Sequence, residues 1–165
     1  FIKAVSDFQK PIIANVNGLA IGIGVTILMH CDFVYSTKDT KFLLPFVNLG
    51  LCPEAASSIL IPLNSNMLIA KEKLLLGEPF DPAEALNMGI VSKIYDTEKE
   101  MAETTSETAK KICNLPSSSI SFTKKLINQT FKEMIKNRIL MEGQKLFELL
   151  HSDEAKAAFS KFLKN

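Results

Sequence analysis

The sequence has no C-x-x-C pair, no cluster of histidines and no apolar run long enough for a membrane, and each absence removes a class of protein. Cys31, Cys52 and Cys113 are odd in number and far apart, and only two histidines are available to join them at a metal. Neither a zinc site nor a disulfide framework is expected. Such cysteine usage fits a reducing intracellular compartment. The longest apolar stretch, Gly18 to Met29, has about twelve residues with glycines inside it, short of the roughly 20 that span a bilayer. A dominant charge is lacking too: 19 basic and 18 acidic side chains leave +1, no overall field for nucleic acid or an anionic membrane. Phe1 to Phe8 carries no initiator Met and no charged leader and reads as the middle of an amphipathic helix, so the chain is expected to begin inside a domain. The last residues, Phe162-Leu163-Lys164-Asn165, are not an S-K-L-type peroxisomal address.

What is present suffices for one buried core, since 47% of the 165 residues are hydrophobic. Pro11 to Asn17, closed by Gly18, is short and rich in branched residues and reads as a buried parallel strand. Val25 to His30 reads as an apolar helix central in the core, Asp32 to Ser36 as a second strand, and Lys41 to Leu44 as a third, a βαβ pattern. From Pro53 the signals turn helical, with Pro53 suited to a first helical position, Asp81-Pro82 giving an N-cap and N1 proline, and Gly89 a stop. Ile90 to Tyr95 is a last strand. Helices are expected over 97–114, 117–137, 138–150 and 152–164, with no repeat, low-complexity tract or linker between the two halves. Their apolar faces, such as Ile120, Leu126, Ile127, Phe131 and Ile135, and Leu146, Phe147, Leu149 and Leu150, offer one side to the domain and another to a neighbouring subunit.

Two features carry candidate chemistry. Gly22-Ile23-Gly24, between strand and helix, presents backbone N–H groups at a positive helix end, where they stabilise negative charge developing on an oxygen. The same glycines equally suit a close approach of helix to sheet, and spacing alone leaves both readings open. A dinucleotide fingerprint would need glycine where Ile27 stands. Glu54 is the other feature, in the segment from Leu49 to Ser58 that holds no second acidic or basic side chain. Apolar surroundings raise a carboxylate's pKa toward the range of a general base, whereas a helix N-terminus favours the anion and would make Glu54 a solvated cap.

Lys10 to Gly24, spelled KPIIANVNGLAIGIG, followed by Cys31-Asp32, resembles the core signature of the crotonase (enoyl-CoA hydratase/isomerase) superfamily. The similarity continues through Pro45-Phe46, Leu49-Gly50 and Leu86 to Val91, and the family's N-terminal part is the portion not matched. The resemblance implies an α/β fold, with residues 1–96 as the C-terminal part of a ββα spiral core and residues 97–165 as a helical region for trimerisation and covering acyl-CoA. It implies that the Ile23 backbone N–H is one donor of an oxyanion hole, with Gly22 beside it, and that Leu44 and Phe46 line an apolar acyl site. The two glutamates that activate water in the family's hydratases are replaced here by Thr26 and Phe46, which argues against hydration. Glu54 instead matches the lone glutamate of peroxisomal-type Δ3,Δ2-enoyl-CoA isomerases, whose L-G-x-x-P-E-x-x-S-S pattern nearly recurs from Leu49 to Ser58.

The implied reaction needs one base and no cofactor, coenzyme A being part of the substrate. Implied partners are an acyl-CoA thioester and further copies of the chain in a homotrimer or dimer of trimers, in a peroxisome or mitochondrion. Lys161 and Lys164 lie where the family's last helix approaches CoA phosphates, although a solvated charge run reads the same. Two alternatives stand beside the isomerase: a catalytically silent binding module of the chromodomain-Y-like type, which lacks the isomerase glutamate, and another single-carboxylate chemistry such as a thioesterase or decarboxylase.

Overall fold

Short branched runs bounded by glycine or proline form parallel strands, and helices fill most of the remainder of residues 1–162, the part described by the computed structural model. The strands are β1 (Ile13–Val16), β2 (Leu19–Ile21), β3 (Phe33–Thr37), β4 (Lys41–Leu43) and β5 (Lys93–Tyr95). β3 lies between β1 and β5 in one sheet, with Ile13 opposite Phe33 and Tyr35 opposite Lys93, while β2 and β4 form a second sheet with Leu19 opposite Lys41. All these pairings are parallel, so each return needs a crossover. The chain visits one sheet, then the other, then a helix, and repeats: a ββα spiral.

The helices are α1 (Ile2–Ser6), α2 (Ile23–Thr26), α3 (Ser57–Asn64), α4 (Met67–Leu76), α5 (Pro82–Asn87), α6 (Glu98–Cys113), α7 (Ser117–Gln129), α8 (Lys132–Leu150) and α9 (Asp153–Phe162). Asp81 and Thr97 both make capping boxes, with Glu84 and Glu100. The mixed α/β architecture with a C-terminal helical region is as expected.

Four local expectations are corrected. β2 replaces the simple βαβ reading, because a three-residue strand between Gly18 and Gly22 is too short to show alternation. The apolar helix is α2 continuing into a 3-10 turn over Ile27–His30. Pro53 does not start a helix: α3 begins at Ser57, after a left-handed turn at Ala55 and Ala56. The break in the C-terminal helices falls at Thr130-Phe131 rather than after Asn137, so Arg138 lies inside α8.

The core collects Val16, Val25, Val34, Phe42, Leu44, Ile61, Phe80, Met88 and Ile90 from strands and helices alike, with the Phe42 and Phe80 rings stacked at 5.5 Å. α6 packs across β1, β3 and β5, and so belongs to the core layers as well as to the helical region. α7 is tied to the sheet by Lys124, whose Nζ donates to Asp32 Oδ2 at 2.6 Å, the same oxygen that accepts the Ile12 N–H at 2.7 Å. α9 packs on the Val47–Leu49 turn. Among the described residues no helix is long and apolar enough to cross a membrane, no group of three or more His, Cys, Asp or Glu is placed to hold a metal ion, and the three cysteines are unpaired.

Candidate active site

The turn into α2 is built on Gly22, whose φ of 56° and ψ of −116° suit glycine rather than any L side chain. Its N–H donates to Leu43 O at 2.9 Å, which locks the turn onto β4. Its carbonyl accepts from both Val25 N at 2.9 Å and Thr26 N at 3.1 Å. The Ile23 and Gly24 amides, first in the helix, therefore have no intrahelical acceptor. A Cβ added at Gly22 meets nothing within 4 Å among the described residues, and one at Gly24 only touches Ala20 Cβ at 4.0 Å. Close packing does not require these glycines; the backbone conformation at Gly22 does.

One turn further along α2, Thr26 is fully buried and its Oγ1 donates to Glu54 Oε1 at 2.5 Å. The helix carrying the free amides thus also grips the candidate carboxylate. Glu54 is 7% exposed. Burial pushes its carboxyl above the ordinary glutamate range, the Thr26 hydrogen bond pulls it partly back, and the Glu142 carboxylate pushes it up again.

Glu54 is therefore neither solvated nor a helix cap, and it is not isolated from other ionisable groups. The capping role at α3 belongs to Glu142, a residue of α8 that the sequence reading passed over. Its Oε2 accepts Ala56 N–H at 2.6 Å, and its Oε1 accepts Ser58 N–H at 3.1 Å and the Ser58 hydroxyl at 2.5 Å. Arg138 donates to Ser58 Oγ at 3.0 Å. On the other side of the turn His30 Nε2 donates to Ala55 O at 2.7 Å, which fixes the proton on that nitrogen, while burial lowers the ring's pKa. Ala55 and Ala56, both at φ 59°, occupy left-handed backbone that costs about 1–2 kcal/mol per residue. Such strain persists only where surroundings enforce it.

Leu44 and Phe46 sit in the core cluster at 0% and 6% exposure. Lys161 is exposed at the end of α9, and Lys164 lies outside the described residues. A groove of about 790 Å³ runs between α1, the Ile27–His30 turn, α7 and α8, and Glu54 does not line it.

A parallel ββα spiral thus sets the first amides of one short helix beside a buried carboxylate that is held against the helix's next turn. The family model described as enoyl-CoA hydratase/isomerase matches residues 1–165, and the chain belongs to that family, within the crotonase superfamily and close to its enoyl-CoA isomerases. It is similar to enoyl-CoA delta isomerase 2 of Rattus norvegicus, with 36% identity over 140 residues, covering 82% of this chain and 34% of that protein. Similarity to Chromodomain Y-like protein 2 of Mus musculus is 35% over 95 residues, covering 58% of this chain and 19% of that protein. Among solved structures, an enoyl-CoA hydratase/isomerase from Pseudoalteromonas atlantica T6c superposes with a TM-score of 0.94 at 38% identity, over 99% of this chain and 66% of that one. The chain spans about a third of the length of the isomerase it resembles.

Proposed function

We propose that the protein isomerises 3-enoyl-CoA to trans-2-enoyl-CoA, with Glu54 as the single base and the Ile23 N–H as a donor to the thioester oxygen. Glu54 takes a proton from C2, the electrons of that C–H bond form a dienolate whose oxygen carries the charge, and the same carboxyl returns the proton to C4. Atoms balance, and no cofactor takes part. The observation that carries this reading is the Thr26–Glu54 hydrogen bond: at one of the two places where the family's hydratases carry a glutamate, this chain has a hydroxyl that donates to Glu54. Losing an oxyanion donor typically slows such reactions by about 10²-fold or more, so the amides at the head of α2 contribute alongside the base. Leu44 and Phe46 form the buried wall behind an apolar acyl site.

Self-association as a trimer or dimer of trimers belongs to the proposal, supported by the exposed apolar side chains of α7 and α8, among them Phe122, Ile127, Leu140 and Phe147. So does the division of labour between residues 1–96 and 97–165, with Lys161 near the CoA phosphates, and a peroxisomal or mitochondrial setting. The test is product analysis with full-length protein: 3-enoyl-CoA converts to trans-2-enoyl-CoA, and 2-enoyl-CoA is not hydrated. Hydration without isomerisation contradicts the proposal. A second reading, a silent acyl-CoA-binding module, is favoured only by the chromodomain-type similarity, and it predicts binding without turnover.

A further inference from the structure

The Glu54 side chain leaves the backbone immediately before two left-handed alanines, so its direction is set by a turn that the chain does not adopt unaided. Two groups from distant elements hold that turn. His30, at the end of the Ile27–His30 turn, donates to Ala55 O at 2.7 Å, and Glu142, from α8, accepts Ala56 N–H at 2.6 Å. Glu142 is 6% exposed, and its two oxygens accept three hydrogen bonds, all from Ala56 and Ser58. A buried carboxylate that spends its acceptors on the backbone beside a candidate base does more than fill space.

We infer that Glu142 and His30 are positioning residues for Glu54, clamping the Ala55–Ala56 turn from opposite sides so that the Glu54 carboxylate is aimed at the substrate. This rests on Glu54 being the base. Glu142 also carries charge into the site. The charged and titratable groups facing it are Glu54 across the turn, Arg138 through Ser58, and the Cys52 thiol, which lies 3.8 Å from the Glu142 carbonyl oxygen. Burial pushes the Glu142 carboxyl up, the Ser58 and Ala56 hydrogen bonds and the Arg138 charge pull it back, and in its ionised form it repels Glu54 and favours that group's protonated form.

Full-length Glu142→Gln, His30→Leu, His30→Gln and Glu54→Gln proteins test this by kcat and KM across pH, per mole of folded protein. Glu142→Gln lowers kcat about 10²-fold with KM within about twofold, since misaiming a reacting group by about 1 Å has that effect. It also moves the acid limb of kcat to lower pH, because the repelling charge is gone; a merely structural role would leave that limb in place. His30→Leu lowers kcat about tenfold, and His30→Gln, which keeps a donor for Ala55 O, restores most of it. If Glu142→Gln does not fold, the His30 pair decides. A folded Glu142→Gln with unchanged kcat and acid limb, or His30→Leu with unchanged kcat, overturns the inference. Activity surviving in Glu54→Gln overturns the base reading instead, so the two failures are distinguishable.

Discussion

Thr26 Oγ1 lies 2.5 Å from Glu54 Oε1, across 28 residues of chain, and both side chains are buried. The bond ties the carboxylate to the helix whose first amides are free, and it holds down a pKa that burial raises. Its removal has a defined sign. In Thr26→Val the Glu54 pKa climbs further, the anion is present only at higher pH, and the acid limb of kcat shifts upward. With a hydrogen bond to a charged group lost, kcat at neutral pH drops about tenfold. A pH–rate series on the variant checks this; an acid limb that stays put or moves down contradicts it.

Burying Glu54 has a stability consequence. A carboxyl whose folded pKa is raised binds its proton more tightly in the folded state, so its contribution is fully present below the ordinary glutamate value of 4.5 and is lost as pH rises through the folded pKa. Glu54→Gln retains an oxygen for the Thr26 hydroxyl and removes the buried charge. The variant is therefore more stable than the parent at neutral pH, by a margin that shrinks toward zero below pH 4.5. Denaturant midpoints of both proteins at the two pH values measure it.

How much of this was legible in the sequence depends on the range of each interaction. β1 and β3 show as runs with branched residues, β4 as a short apolar run before Pro45, and the Asp81 cap and the Thr97 helix start as local chemistry. The Ala55–Ala56 turn does not, because alanine gives no signal for positive φ and only its surroundings impose it. Glu142 is 86 residues from Ala56 along the chain and looks like any acidic position on a surface helix until α8 packs on α3. Glu54 was visible as a lone carboxylate, but its hydrogen-bonded partner and its charged neighbour were not.

Gly50 anchors α9. Its φ is +69°, and an added Cβ would lie 2.9 Å from Ala155 N and 3.0 Å from Ala155 Cα. Gly50→Ala forces the backbone of α9 away and destabilises by about 2 kcal/mol, seen in chemical denaturation and as faster amide exchange in α9. Gly143→Ala is the control, since a Cβ there meets nothing within 4 Å, and helix propensity predicts a gain of up to about 1 kcal/mol.

Asp32 joins the start of β1 to α7 through Ile12 N–H and Lys124. Asp32→Ala leaves the Lys124 ammonium, whose side chain is 10% exposed, with the Lys10 carbonyl at 2.9 Å but no counter-charge, leaves the Ile12 amide unpaired, and destabilises by about 3 kcal/mol. Lys124→Met leaves an Asp32 that still accepts the Ile12 N–H and remains 24% exposed, so the loss is about 1–2 kcal/mol. Equal losses in the two variants, read from denaturant unfolding, contradict this ordering.

The central claim is that one carboxylate carries the proton. Turnover of 3-enoyl-CoA by full-length Glu54→Gln, beside the parent and with the fold checked by circular dichroism, tests it most directly. The expected result is loss of isomerisation by about 10²–10⁴-fold, with acyl-CoA still bound; turnover at the parent rate in a folded variant contradicts it.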